Sequence, residues 1–168
     1  DDLTSLPNRN RFYRCVEGSI VAGHPCAVLM LDLDGFKDVN NILGPVTGDE
    51  VLKVAARVLA LEAGPLATVA RVGGDEFAIL LPLGPEEPEE FAHRLQARLA
   101  ELIAVAGHDV RITASIGIAV SPGDASEAVA MIGDADLALH KAKASGAGHV
   151  ALYSPALRRQ AAERRVYG

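Results

Sequence analysis

Arg71-Val72-Gly73-Gly74-Asp75-Glu76-Phe77-Ala78-Ile79-Leu80 is the stretch on which the reading of this chain turns. Two apolar runs, Leu66 to Val72 and Phe77 to Leu81, flank a pair of glycines followed at once by two acids. Paired glycines between β-type runs predict a tight hairpin, because the favoured hairpin turns place residues at positive φ. The turn itself has no need of two carboxylates, which repel each other at its mouth. Two acids there point to a cation site.

Upstream, Cys26 to Leu33 is a continuous apolar run that ends in Asp32-Leu33-Asp34-Gly35, as expected of a buried central strand. Asn8 follows Pro7 and precedes a helical pattern through Phe12, Cys15, Val16 and Ile20. A short helix is expected over Phe36 to Leu43. Thr47-Gly48-Asp49-Glu50 has the spacing of a capping box, with a helical stripe of Val51, Leu52, Ala55, Val58 and Leu59 behind it. Downstream, Pro85 to Pro88 breaks the chain, and Phe91, Leu95, Leu99, Leu102 and Ile103 form one apolar helix face. The residues from Val110 to Val120 alternate strictly, which predicts one strand with one buried face. A helix pattern runs from Ser126 to about Ala144 and stops at Ser145-Gly146. Val150 to Tyr153 reads as a last strand, and Pro155 onward as a polar exit helix. A hairpin in the sheet rules out an all-parallel arrangement. The expected fold class is α+β, helices packed on a largely antiparallel sheet.

The chain has 168 residues, about half of them apolar, which suits one domain with its own core. Its net charge of -6 argues against broad nucleic-acid binding. Cys15 and Cys26 have no metal-ligand spacing and read as reduced thiols, so a cytoplasmic location is expected. No apolar stretch reaches the roughly 18 residues needed to span a bilayer, and no membrane contact is expected. The abrupt start at Asp1-Asp2-Leu3 and the stop at Tyr167-Gly168 after a charged helical pattern are expected of a domain cut from a longer protein.

Asp32 ends one strand and Asp75-Glu76 sits in a hairpin. If those strands are neighbours, the carboxylates meet at one rim of the sheet, a hard oxygen set suited to Mg²⁺ or Mn²⁺ sharing substrate phosphates. Gly35-Phe36 opens a helix whose free N–H groups can bind phosphate oxygens, and Lys37 adds a point charge there. Together these describe a nucleotide triphosphate site. Gly44 to Gly48 has P-loop-like glycine spacing, but Asp49 stands where the Lys belongs. Asp32 to Asn40 lacks the glycine and terminal Glu of an EF-hand. Alone, Lys37 reads as a solvated helix lysine and Asp49 as part of a helix cap. Lys143 reads as a cation on a helix C-terminal dipole, and Asp134 and Asp136 as acids that cap or solvate their helix. The five histidines are scattered and take no role.

On these residues the chain resembles the GGDEF domain of diguanylate cyclases over nearly its whole length. The motifs are the opening Asp1-Asp-Leu-Thr-Ser-Leu-Pro-Asn-Arg9, then Asp32-Leu-Asp-Gly-Phe-Lys-Asp-Val-Asn40 with Gly44 and Gly48-Asp49. The signature Gly73 to Phe77 follows, then Ser115-Ile-Gly-Ile-Ala119, then Ala135-Asp-Leu-Ala-Leu with Lys143. The resemblance implies a mostly antiparallel five-stranded sheet flanked by helices, similar to nucleotidyl cyclases and polymerase palms. It implies condensation of two GTP into cyclic di-GMP with release of pyrophosphate, by two GTP-loaded domains facing each other as a homodimer. By the same resemblance Asp32, the Leu33 carbonyl and Asp75 hold Mg²⁺ or Mn²⁺, and Glu76 assists metal binding or the transfer. Gly35, Phe36, Lys37 and Lys143 take phosphates, and Asn40 and Asp49 read guanine. Guanine presents a ring N–H beside an amine, a donor pair one carboxylate accepts bidentately.

Three departures from the family pattern stand out. Asn41 and Pro45 replace the usual Asp and His. Ala147-Gly148 replaces an Arg-Asn pair, removing a cation near the phosphates. Gly64 and Ala67 occupy the positions of an Arg and Asp that hold product in relatives, so no product-inhibition site is expected. The domain reading is a single GGDEF domain over 1–168, with an entry motif at 1–7 and an exit helix or linker at 154–168. The opening motif and the tail from Tyr153 to Arg165 resemble GGDEF domains that precede an EAL-type phosphodiesterase. A linked sensor or EAL domain is therefore an expected partner. The competing function is a GTP-binding regulatory module that controls such a neighbour with little turnover.

Overall fold

The computed structural model describes residues 1–101, 103–105, 107–122 and 127–167. Its elements are α1 (Arg9–Val21), β1 (Cys26–Asp34), α2 (Phe36–Leu43), α3 (Pro45–Ala63), β2 (Thr68–Arg71), β3 (Glu76–Pro82) and α4 (Pro88–Leu99). They continue as β4 (Ile103–Val105), β5 (His108–Val110), β6 (Thr113–Ser121), α5 (Ala128–Ala144), β7 (Val150–Leu152) and α6 (Pro155–Tyr167). Five strands form one sheet in the order β2-β3-β1-β6-β7. β3 and β6 run antiparallel to β1, β2 runs antiparallel to β3, and β7 runs parallel to β6. This is the α+β, mostly antiparallel five-stranded sheet expected.

The position of β1 explains its composition. It lies in the middle of the sheet with both faces covered, so every residue from Cys26 to Leu31 must be apolar. Ala27, Leu29, Leu31 and Leu33 face a core built with α3 and α4, while Cys26, Val28 and Met30 face α1 and α5. Asp32 and Asp34 continue the second series where the core runs out.

β6 departs from the sequence reading. It is buried on both faces, because the small residues alternating with Ile116 and Ile118 are covered by α5. A Cβ on Gly117 would overlap the α5 backbone at Leu139 and Ala135 and come within 2.7 Å of the Ala138 carbonyl carbon. Glycine here permits helix and sheet to touch directly. The alternating run is also not one strand. The Ile112 N–H donates to the Leu99 carbonyl at 3.2 Å, which draws the chain to the end of α4. That separates β6 from a small β4–β5 hairpin absent from the sequence reading.

Three other expectations are corrected. The helix face of Phe91, Leu95 and Leu99 is buried, but α4 ends at Leu99 and Ile103 begins β4; Leu102 lies outside the described residues, as does Ser126. Thr47 is not a helix cap. Gly44, at φ 92°, ends α2 and precedes Pro45 at the first position of α3, so Thr47 falls inside the helix and is buried. Asp134 neither caps nor solvates α5. It is 3% exposed, and Arg158 of α6 pairs with it while donating to the Tyr153 hydroxyl at 3.2 Å.

Candidate active site

The site forms where β1 and β3 run off the same end of the sheet. Glu76 stands opposite Asp32 in the β1–β3 register, and directly opposed residues share a face. Asp75 lies in the connection between β2 and β3. The Leu33 N–H donates to the Asp75 carbonyl at 3.2 Å, fastening that connection to β1. The hairpin exists as expected, but not for the expected reason: neither Gly73 nor Gly74 adopts a left-handed φ. A Cβ on Gly73 would stand 3.2 Å from Glu76 Oε2, so the glycine gives the Glu76 carboxylate room, whereas Gly74 faces open space. Arg71 holds the loop by donating to the Gly74 carbonyl at 3.0 and 2.8 Å and to the Asp1 carboxylate at 3.3 Å.

Lys143, in the last turn of α5, donates to Asp32 Oδ2, and this bond raises the Lys143 ammonium above its ordinary value. The other oxygen of the same carboxylate, Asp32 Oδ1, is buried and has no hydrogen-bond partner among the described residues. Burial, then the neighbouring Asp32 carboxylate, push the Asp75 carboxyl above the usual range. Burial, then Asp136 and Asp32, do the same to Glu76, against the opposing charges of Arg9 and Lys143. Asp32, Asp75, Glu76 and Lys143 thus form one electrostatic cluster. Among the described residues, no three carboxylate, imidazole or thiol groups converge into a closed cation cage.

Beyond β1 the chain turns through Gly35, whose φ of 69° and ψ of 11° lie in the left-handed region. That turn launches α2, with Phe36 packed on the core below it and Lys37 exposed in its first turn. Asn40 lies against Gly48, where a Cβ would overlap the Asn40 amide oxygen and come within 3.4 Å of the Phe36 ring. Asp49, the next residue, is exposed. The carboxylate cluster thus lies at the end of β1, the Gly35 turn follows directly, and α2 brings Asn40 against Gly48 of α3, the neighbour of Asp49.

Sequence reasoning missed Asp34. Its Oδ1 accepts from Ser115 Oγ at 2.8 Å and its Oδ2 from the Gly148 N–H at 2.8 Å. The signal was present, since residues two apart on a strand share a face and Asp34 follows Asp32 at that spacing. Gln96 was also missed: its Nε2 donates to the Ala114 carbonyl at 2.8 Å and the Gly148 carbonyl at 3.0 Å. Nothing in the local pattern of α4 marks it.

The family model for the GGDEF domain of diguanylate cyclases matches residues 1–149. The chain belongs to the GGDEF family. Among curated relatives, it is 35% identical over 169 residues to the bifunctional diguanylate cyclase/cyclic di-GMP phosphodiesterase MucR of Pseudomonas aeruginosa, covering 98% of this chain and 25% of that protein. It is 32% identical over 166 residues to the cyclic di-GMP phosphodiesterase PdeR of Escherichia coli, covering 97% of this chain and 25% of that one. The chain spans about a quarter of the length of these curated relatives. Among solved structures, the GGDEF domain of YfiN (TpbB) from Pseudomonas aeruginosa superposes with a TM-score of 0.89 at 35% identity, covering 95% of this chain and 96% of that one. The coiled coil and GGDEF domain of DgcB from Caulobacter crescentus, solved in complex with c-di-GMP, gives a TM-score of 0.80 at 27% identity, covering 90% of this chain and 84% of that one.

Proposed function

We propose that this domain binds GTP with a divalent cation and, when two copies face each other, condenses two GTP into cyclic di-GMP. The observation that carries the reading is the Asp32 carboxylate: among the described residues one oxygen is buried without a partner and the other is held by a lysine. A buried acceptor left unsatisfied is costly unless something binds it.

The donor set fits Mg²⁺ or Mn²⁺. Mg²⁺ keeps several waters and is bound through one or two carboxylates plus substrate phosphates, so an open cluster suits it better than a closed cage. Asp32, Asp75 and the Leu33 carbonyl would hold the ion, with Glu76 supporting. The bound ion would supply Lewis-acid neutralisation of phosphate charge and activation of the attacking hydroxyl.

This chain's own residues do the rest. Lys143 competes with a dication for the same carboxylate, so it is released toward phosphate oxygens when Asp32 is occupied. The free N–H groups of Gly35 and Phe36, with Lys37, receive the outer phosphates. Asp49 accepts from the guanine ring N–H and amine, and Asn40 supplies a second polar contact. In each half-reaction the 3′-oxygen of one GTP bonds to the α-phosphorus of the other, the bond to pyrophosphate breaks, and the hydroxyl proton is lost to a base or water. Two such steps close the ring, and each domain holds one nucleotide, so a homodimer is required. Use of GTP places the domain on the cytoplasmic side.

The second reading is a GTP-binding regulatory module beside an EAL-type phosphodiesterase. It is favoured by Ala147-Gly148, which leaves no side-chain cation in the turn after Lys143. A parallel dimeric coiled coil fused before Asp1 separates the two readings, because it raises the effective concentration of facing sites. Incubation with GTP and Mg²⁺ should yield c-di-GMP by mass spectrometry. GTP binding without product would favour the regulatory module, and absence of GTP binding would defeat both.

A further inference from the structure

We propose that Asp34 and Gln96 are positioning residues that clamp the turn after α5 and so hold Lys143 at the site. Of the four hydrogen bonds of these two side chains, two meet on Gly148 in that turn and two reach β6. Asp34 takes the N–H of Gly148 and Gln96 takes its carbonyl, so both polar groups of a single peptide residue are fixed by side chains from other elements. Each clamp is anchored on the same strand: Asp34 to Ser115 Oγ and Gln96 to the Ala114 carbonyl, adjacent residues of β6. Ser115 is fully buried, which makes that anchor rigid.

The clamp has work to do because the turn is intrinsically loose. Gly146 and Gly148 both take left-handed φ, 114° and 73°, and Ala147 between them offers no polar side chain. Glycines lose more freedom on ordering than other residues. Lys143 lies five positions before Gly148, at the end of the helix this turn terminates. In the structure its ammonium is also held by Asp32. That bond cannot keep the helix end in register once Asp32 is engaged by a cation. Asp34, on the same face of β1 and two residues along, grips the turn independently of Asp32. Lys143 then stays within reach of the site while its own side chain is free. That Lys143 is kept there for phosphate rests on the GTP reading above; the clamp itself does not.

The test has an arm that needs no nucleotide. The rate of acetylation of Lys143 by acetic anhydride, read by mass spectrometry, reports how firmly its ammonium is held in the free chain. Loss of a charge-assisted hydrogen bond from Asp34 should speed it about tenfold in Asp34→Ala. Gln96→Ala should act in the same direction by a smaller factor, and it leaves the Asp34 bonds in place should Asp34→Ala fail to fold. Asp34→Asn keeps an oxygen for the Gly148 N–H and should restore slow labelling. Unchanged labelling in Asp34→Ala and Gln96→Ala would overturn the clamp.

In the second arm, calorimetry should show Mg·GTP affinity reduced about tenfold in Asp34→Ala with the GTP-to-ATP ratio unaltered. The same substitution made in Lys143→Ala should cost nothing further. A full additional loss in that background would mean that Asp34 acts other than through Lys143, and would overturn the proposal. If the unaltered chain binds no GTP, the functional reading fails while the labelling arm still decides the clamp.

Discussion

Arg158 in α6 reaches across to Asp134 in the middle of α5, so an exposed guanidinium pairs with a carboxylate that is almost wholly buried. The pair ties the last helix of the chain to the helix that carries Lys143. Removing the arginine leaves a buried charge without its partner, whereas removing both leaves a small apolar gap. Arg158→Ala should therefore destabilise the chain by about 1–3 kcal/mol. Asp134→Ala with Arg158→Ala should cost less than the sum of the single changes. Denaturant midpoints for the four chains of this cycle give the coupling, and strict additivity would show the pair to be idle.

The acids at the hairpin pull the other way. Asp75 and Glu76 both have carboxyls raised above their ordinary values, by burial first. The folded chain thus holds these protons to higher pH than the unfolded chain does. Stability falls as pH rises from the ordinary carboxylate range through the folded values, and the penalty is fully present above them. Asp75→Asn should melt higher than the unaltered chain at pH 7, by a few degrees at most, since about 1 kcal/mol shifts a domain of this size by roughly 2–4 °C. The difference should close toward pH 4. The same variant should lose cation-dependent GTP binding, so gain of stability and loss of binding appear together. A melting difference independent of pH would show that charge is not its cause.

Asp49 is exposed and follows Gly48, which Asn40 contacts, and among the described residues its side chain forms no ion pair. Asp49→Ala should leave the melting temperature within experimental scatter and weaken GTP about ten- to hundredfold, the worth of a charge-assisted hydrogen bond of roughly 1.5–3 kcal/mol. ATP affinity should not change, because adenine has no matching donor pair. Calorimetric titration of both nucleotides checks this. Equal losses for GTP and ATP would remove Asp49 from guanine recognition.

What the sequence makes legible follows the range of the interactions involved. The Cys26–Leu33 run reads as a central strand because burial on both faces leaves one composition open to it. The acids at its end read as a site because nothing local calls for them. The hairpin at Gly73-Gly74 is legible in place but not in cause: Gly73 makes room for Glu76, and neither glycine supplies a left-handed turn. The break at Ile112 is invisible because it depends on the Leu99 carbonyl, a tertiary partner. Asp134 misleads for the same reason, since the arginine that neutralises it lies 24 residues away in the chain. Asp34 and Asp32 are alike in type and face, and only their tertiary partners separate an acid that grips a turn from one with an open oxygen.

Product control gives the last expectation. Gly64 caps the end of α3 at a φ of 83°, and Ala67 is partly buried against the core, so neither position offers a charged group to a dinucleotide. A cavity of about 300 Å³ does open there, lined by Arg11 of α1 together with Leu6, Pro7 and Val69. One guanidinium without an acid beside it can meet a phosphate but cannot also satisfy the donor edge of guanine. Added c-di-GMP should therefore inhibit only weakly, and by competing with GTP. Raising GTP to saturation should abolish the inhibition, and Arg11→Ala should alter c-di-GMP affinity less than about threefold, the effect of a single exposed ionic contact. Tight c-di-GMP binding that survives saturating GTP, and is lost in Arg11→Ala, would establish a product site in that cavity and overturn this expectation.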